Sequence, residues 1–171
     1  MVHLPIQPTI DEERPDFRSF MSSFPTGVSV VTAIDESGEP RGMTCSSVCS
    51  VTLTPPTLLV CLRVGSPTLA AVAQRARFAV NLLSNQAQPV AQLFASGAPD
   101  RFHQVRWRLE IESAGPHLVE DAHAVADCRL SRTELVGDHV VVFGEVVGVW
   151  QRSAPEPLLY GLRRYAAWPG A

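Results

Sequence analysis

The sequence predicts a mainly β fold, an antiparallel barrel with a few short helices, and three observations predict it. Strongly β-branched runs recur along the chain, from Gly27 to Ile34 and again from Val140 to Trp150. Turn-forming pairs, Ser37-Gly38 and Gly137-Asp138, separate such runs at short intervals. Only two or three stretches show helical spacing, and no GxGxxG follows any strand, which argues against a parallel α/β sheet and against a Rossmann-type dinucleotide site.

Residues 1–14 are polar and interrupted by Pro5 and Pro8, the composition of a loose arm, so the folded domain is expected over residues 15–171. Asp16 can cap a helix to Phe24, in which Phe17, Phe20, Met21 and Phe24 form one face; that face is expected to pack into the core, with Pro25 ending the helix. Gly27 to Ile34 makes a strand and hairpin whose partner runs into GMTCSS. Pro55-Pro56 ends the next strand, and the apolar run Thr57 to Leu62 is expected to be a strand buried on both faces. Ser66 or Thr68 can cap a helix containing Leu69, Val72 and Ala73, with Pro67 at its first turn.

Arg77 to Leu83 reads as a strand interrupted by Asn81, an amide that needs partners if buried. Gln86 to Phe94 reads as a helix, and Gly97 to Val105 as a surface loop carrying Arg101 and Phe102. Strands follow through Leu109 and Ile111, then over Ala124 to Val136 and Val140 to Trp150, with Gly137-Asp138 turning between the last two.

A chain of 171 residues with 46% hydrophobic content supports one domain with a sizeable core. Its formal charge of −3, from 17 acidic and 14 basic residues, includes no basic block, so nucleic acid is not an expected partner. Every basic residue is arginine. Lysine chemistry is therefore excluded, and any bound phosphate falls to arginine or to backbone N–H groups. Cys45, Cys49, Cys61 and Cys128 form no CxxC pair and follow no signal peptide, and the histidines lack ligand spacing. No metal site, no membrane span and a reduced cytoplasmic setting are the expectations.

The stretch Gly42 to Pro56, GMTCSSVCSVTLTPP, is the strongest candidate site. Thr44, Ser46, Ser47 and Ser50 offer hydroxyls, and their small side chains let a ligand approach backbone N–H groups, which suits a phosphate or the polar edge of a planar ring. The plainer alternative is an edge strand entering a loop, its hydroxyls satisfied by water or local backbone.

PTGVSVVT at 25–32, GMTCSSVCSVTLTPP at 42–56, GSPT at 65–68, FAVNLL at 78–83, DRF at 100–102, GDHVVVFGEV at 137–146 and PLLYGLRRY at 157–165 occur in one order across nearly the whole domain. That ordered set resembles the flavin reductase family of FMN-binding split barrels, the reductase partners of two-component flavin monooxygenases. The resemblance implies a split β-barrel, usually homodimeric, that passes hydride from NADH or NADPH to FMN or FAD and supplies reduced flavin to a separate monooxygenase.

It also implies residue roles. Thr44, Cys45, Ser46 and Ser47 would meet the flavin ring edge and ribityl chain, with Ser50 and Val51 close by and Asn81 a second polar contact. Ser66 and Arg101 are the matched candidates for the flavin phosphate, and Phe102 would pack on the cofactor or its neighbour. His139 in the GDH turn would stand on the nicotinamide side, and Tyr160 and Arg163 would close over the site. Two rivals share the barrel: a flavin-binding carrier or sensor without turnover, and an oxidase of the pyridoxamine-phosphate type.

Overall fold

The computed structural model describes residues 16–154 and 156–168, so the arm expected over residues 1–14 lies outside the described residues. Asp16 caps the first helix, α1 (Phe17–Ser22), by accepting from Ser19 N–H at 2.6 Å. Helix α1 has no buried residue. Phe17 is 77% exposed, Phe20 64% and Phe24 63%, which corrects the expectation of a core-facing aromatic stripe. Six residues are too few to carry such a face into a core.

The strands follow as β1 (Thr26–Gly27), β2 (Ser29–Ile34), β3 (Pro40–Cys45), β4 (Val48–Leu53) and β5 (Pro56–Arg63). After them come α2 (Pro67–Arg75), β6 (Arg77–Leu83), α3 (Gln88–Ser96), a 3₁₀ turn at Arg101–His103, and the long hairpin β7 (Ala122–Val136) and β8 (His139–Gln151). A final short hairpin, β9 (Leu158–Gly161) and β10 (Arg164–Ala167), was not expected from the sequence. Leu109 and Ile111 are not in a strand. Their segment makes a single bridge, Arg108 to His117, and Ile111 is 96% exposed.

Seven strands form one antiparallel sheet in the order β3-β2-β6-β7-β8-β5-β4, and β1-β9-β10 form a second. The two edges of the large sheet, β3 and β4, are consecutive in the chain and separated only by Ser46 and Ser47. So short a link between opposite edges forces the sheet to curl into a barrel. A seam remains between β3 and β4, which share no ladder.

Inside the barrel, Val31, Val60, Leu62, Phe78, Val80 and Val142 meet Ala71 and Val72 of α2. Each fully buried Val, Leu or Phe contributes about 1.5–3 kcal/mol. Gly144 on β8 leaves room for Phe78, since a Cβ there would come within 2.5 Å of the Phe78 ring. A second cluster lies on the outer face of β2 beneath α3, where Val30, Leu83, Leu118 and Leu158 pack with Phe94 and Phe102. Strand β2 is therefore buried on both faces. Strand β5 is not: Val60 and Leu62 point inward, while Leu59 and Cys61 are half-buried on the outer side.

Candidate functional site

The hydroxyl run is divided among several tasks by the fold. Thr44, at the end of β3, donates to the Ala91 carbonyl at 2.6 Å and ties the strand to α3. Cys45 is buried, and burial pushes its thiol up despite the opposing hydrogen bond from Ser47. Ser46 and Ser47 form the exposed link across the seam. The Ser47 Oγ accepts from Cys61 N–H at 3.2 Å and lies 3.3 Å from the Cys61 carbonyl, with the Cys45 Sγ 3.2 Å away. Beyond them β4 is nearly all exposed: Ser50 faces solvent, and Val51, 47% exposed, sits at a register shift between Ser50 and Thr52. The stretch is thus an edge strand after its first turn, as in the plainer reading.

At this seam lies a cleft of about 690 Å³. Ser46, Ser47, Val48 and Cys49, with Leu59 from β5, make one wall. A further part of the wall comes from Arg18, Met21 and Phe24 around α1 and from Tyr160 and Arg163 of the β9–β10 hairpin. The two pieces of that wall are tied together, since Leu162 N–H donates to the Ser22 carbonyl at 2.6 Å. Thr26 of β1, also in the lining, pairs with Tyr160 in register. The cleft therefore combines apolar and aromatic side chains with several hydroxyls and two guanidinium groups. A volume of this size suits a small-molecule or cofactor site, and the donor set fits a planar heterocycle with carbonyl and imide edges.

Of the residues singled out in the sequence, the fold brings Ser46, Ser47, Tyr160 and Arg163 together here. Others lie elsewhere in this chain. Asn81 is fully buried, donating to the Val30 and Pro116 carbonyls and the Thr32 hydroxyl while accepting from Leu118 N–H, so its amide joins β6 to β2 and to the 116–118 segment. Ser66 caps α2, accepting from Leu69 N–H at 3.2 Å. Arg101 donates to the Ala98 carbonyl at 2.9 Å and stands 5.9 Å from the Phe94 ring centroid. Phe102 is 7% exposed, edge-on to Phe94 and Trp107, which corrects the expectation of a wholly superficial loop.

His139 begins β8, opposite Arg63 of β5, two residues beyond the Cys61 position that Ser47 grips. Its Nδ1 lies 2.8 Å from Asp138 Oδ1. A carboxylate only accepts, so Nδ1–H donates and Nε2 is the acceptor nitrogen. The bond to His139 is the main cause holding the Asp138 carboxyl below its ordinary range. Arg18, Met21 and Phe24 were missed as lining because a short aromatic stripe reads equally well as core. The β9–β10 hairpin that gives them a partner carries no Asn-Gly signal.

The family described as Flavin reductase like domain matches residues 21–169. A flavin reductase (NADPH) of Lentzea aerocolonigenes is 50% identical over 167 residues, covering 94% of this chain and 97% of the relative. An NADH:FAD oxidoreductase of Streptomyces globisporus C-1027, solved in complex with NAD and FAD fragments, superposes with a TM-score of 0.83 at 35% identity, covering 90% of this chain and 92% of that one. The flavin reductase of styrene monooxygenase from Pseudomonas putida gives a TM-score of 0.81 at 30% identity, covering 91% and 99%.

Proposed function

The chain belongs to the flavin reductase-like domain family, and from that premise we propose that it is an NAD(P)H:flavin oxidoreductase whose reduced flavin serves a separate monooxygenase. The observation that carries the reading is the cleft at the barrel seam, lined by Ser46 and Ser47 together with Phe24 and Tyr160. A flavin bound there supplies the hydride acceptor. The residues of the chain would do the rest: the Ser46 and Ser47 hydroxyls and nearby backbone N–H groups would hold the polar edge of the flavin, and Met21, Phe24 and Leu59 would exclude water from it. Hydride transfer needs no acid–base pair from the protein. FMN or FAD fits the reading, as does NADH or NADPH, since the similar proteins include a reductase named for each nucleotide.

A homodimer is part of the same proposal. Leu53 is 84% exposed, Leu135 70% and Val149 69%, apolar surface on β4, β7 and β8 that a second copy would cover. Ser66, Arg101 and His139 are not in the cleft lining of one chain; in the same proposal Ser66 and Arg101 take the flavin phosphate and His139 the nicotinamide side. No helix among the described residues is long and apolar enough to cross a membrane.

The test is turnover. Purified protein with added FMN or FAD should oxidise NADH or NADPH at a rate that depends on flavin concentration, and the reduced flavin should appear free in solution. Tight flavin binding with no nucleotide consumption would replace this reading with a carrier or sensor. Oxygen consumption driven by a phosphorylated amine would replace it with the oxidase.

A further inference from the structure

Resting on the reading of the cleft as the meeting place of flavin and nicotinamide nucleotide, we propose that Arg18 and Arg163 together receive a phosphate group of the nicotinamide nucleotide and set its affinity. The cleft lining contains these two cations and no carboxylate. Among the described residues neither guanidinium has a hydrogen bond or an ion pair, whereas Arg41, Arg77 and Arg129 are each engaged with a carboxylate or a carbonyl. Both guanidinium groups are exposed and both act on the Asp16 carboxylate, so one oxyanion in the cleft can engage the pair by charge-assisted hydrogen bonds.

The backbone at Arg163 gives an independent indication. Leu162 and Arg163 have φ of +50° and +59°, both left-handed, in the turn between β9 and β10. That turn ordinarily takes Asn or Gly, because a Cβ costs about 1 kcal/mol in this region. The Leu162 N–H docks the hairpin tip on the Ser22 carbonyl. No backbone or packing requirement calls for a side chain at 163, and the one present reaches the cleft. Asp16, beside the pair, leaves a net positive rim: its carboxylate is held low first by Ser19 N–H and less strongly by Arg163 and Arg18, one anion against two cations.

The rim suits the nucleotide better than the flavin. Ser46 and Ser47, whose hydroxyls match a flavin edge, belong to the β3–β4 link, a part of the lining separate from α1 and the β9–β10 hairpin that carry the two arginines. A hydride donor must arrive and leave in every cycle, and exposed, salt-screened cations at the mouth hold an anion reversibly and speed its arrival.

Arg18→Ala, Arg163→Ala, Arg163→Lys and Arg163→Gly separate binding from folding. On flavin-loaded protein, calorimetric titration with NADP⁺ and with NAD⁺ should give dissociation constants about five- to tenfold weaker for each alanine variant, with partial recovery in Arg163→Lys. The double alanine variant should lose most of the salt dependence of nucleotide binding. Flavin affinity should change less than twofold. Arg163→Gly should bind nucleotide as poorly as Arg163→Ala while melting about 2–4 °C higher, because glycine relaxes the turn. A larger loss for NADP⁺ than for NAD⁺ identifies the 2′-phosphate, and an equal loss identifies the pyrophosphate; both support the proposal. Unchanged nucleotide affinity in both alanine variants overturns it, as does loss of flavin affinity with nucleotide affinity intact. Wild-type protein that binds flavin but neither nucleotide overturns the reductase reading as well, an outcome separate from a reductase indifferent to these two arginines.

Discussion

Ser47 grips a single backbone unit of β5, its hydroxyl lying 3.2 Å from the Cys61 N and 3.3 Å from the Cys61 O. Position 47 falls opposite Cys61 in the β4–β5 register, so this side chain extends that pairing by one step into the link from β3. The same residue stands in the cleft wall. Anchoring of the link and lining of the cleft therefore meet at one hydroxyl.

Ser47→Ala should lower stability by about 1–2 kcal/mol, from two hydrogen bonds of ordinary net strength, and weaken flavin binding several-fold by loosening the wall. Neighbouring Ser46 has no internal hydrogen bond among the described residues, so Ser46→Ala should leave the urea midpoint unchanged. Denaturation curves and flavin fluorescence titrations on both variants check the contrast. Equal urea midpoints for the two variants would remove Ser47 from the seam.

Asn81→Ala should be among the most destabilising single changes in the molecule. It removes an amide that satisfies Thr32, Leu118 N–H and the carbonyls of Val30 and Pro116 in a fully buried place. Each buried group left unpaired costs about 1–3 kcal/mol, so a loss of roughly 3 kcal/mol or more is expected, about 6–12 °C in Tm for a chain of this size. Flavin affinity per folded molecule should hold. A variant as stable as wild type but impaired in flavin binding would restore Asn81 to the cofactor.

Asn81 also illustrates why the fold was more readable than the site. Strand β6 follows from RFAVNLL, and a polar residue inside an apolar strand signals a buried amide with partners. Which partners depends on the 116–118 segment, about 35 residues away, whose position no local periodicity encodes. Ser46 and Ser47 stood out because hydroxyls are unusual between two strands. Arg18 and Phe24 did not, because their meaning rests on the β9–β10 hairpin at the far end of the chain, and its left-handed turn is built from Leu and Arg rather than from the expected turn residues.

The buried thiols set an alkaline limit. Burial, with a smaller contribution from the Asp127 charge, pushes the Cys128 thiol up to about 12, whereas a free thiol titrates near about 8.5. The folded state then keeps a proton that the unfolded chain releases. The contribution to stability is whole below about pH 8.5 and is lost as pH rises toward about 12, at up to about 1.4 kcal/mol per pH unit. Cys128→Val should flatten that decline between pH 9 and roughly 10.5 in urea titrations. Cys49, exposed in the cleft wall, should be alkylated well before Cys45 or Cys128, and bound flavin should slow its labelling. Mass spectrometry of labelled peptides reads the order directly; rapid labelling of Cys128 in the native state would contradict its burial.

His139 tests how far the site extends beyond one cleft. Its imidazole donates from Nδ1 to Asp138 and starts β8 two residues beyond the Cys61 position gripped by Ser47. With Nδ1–H donating, Nε2 is the acceptor nitrogen and can accept from a neutral amide. His139→Ala should slow flavin reduction several-fold in stopped-flow measurements, the effect of losing one hydrogen bond worth about 0.5–1.5 kcal/mol. Flavin affinity should change little, because the cleft wall at Ser46 and Ser47 is untouched. Asp138→Asn keeps a side chain at the turn but can rotate its amide toward Nδ1, releasing the ring from a single orientation, and should show a milder loss of the same kind. Reduction as fast as wild type in His139→Ala at every nucleotide concentration would place the nicotinamide contact elsewhere, on the α1 and β9–β10 wall alone.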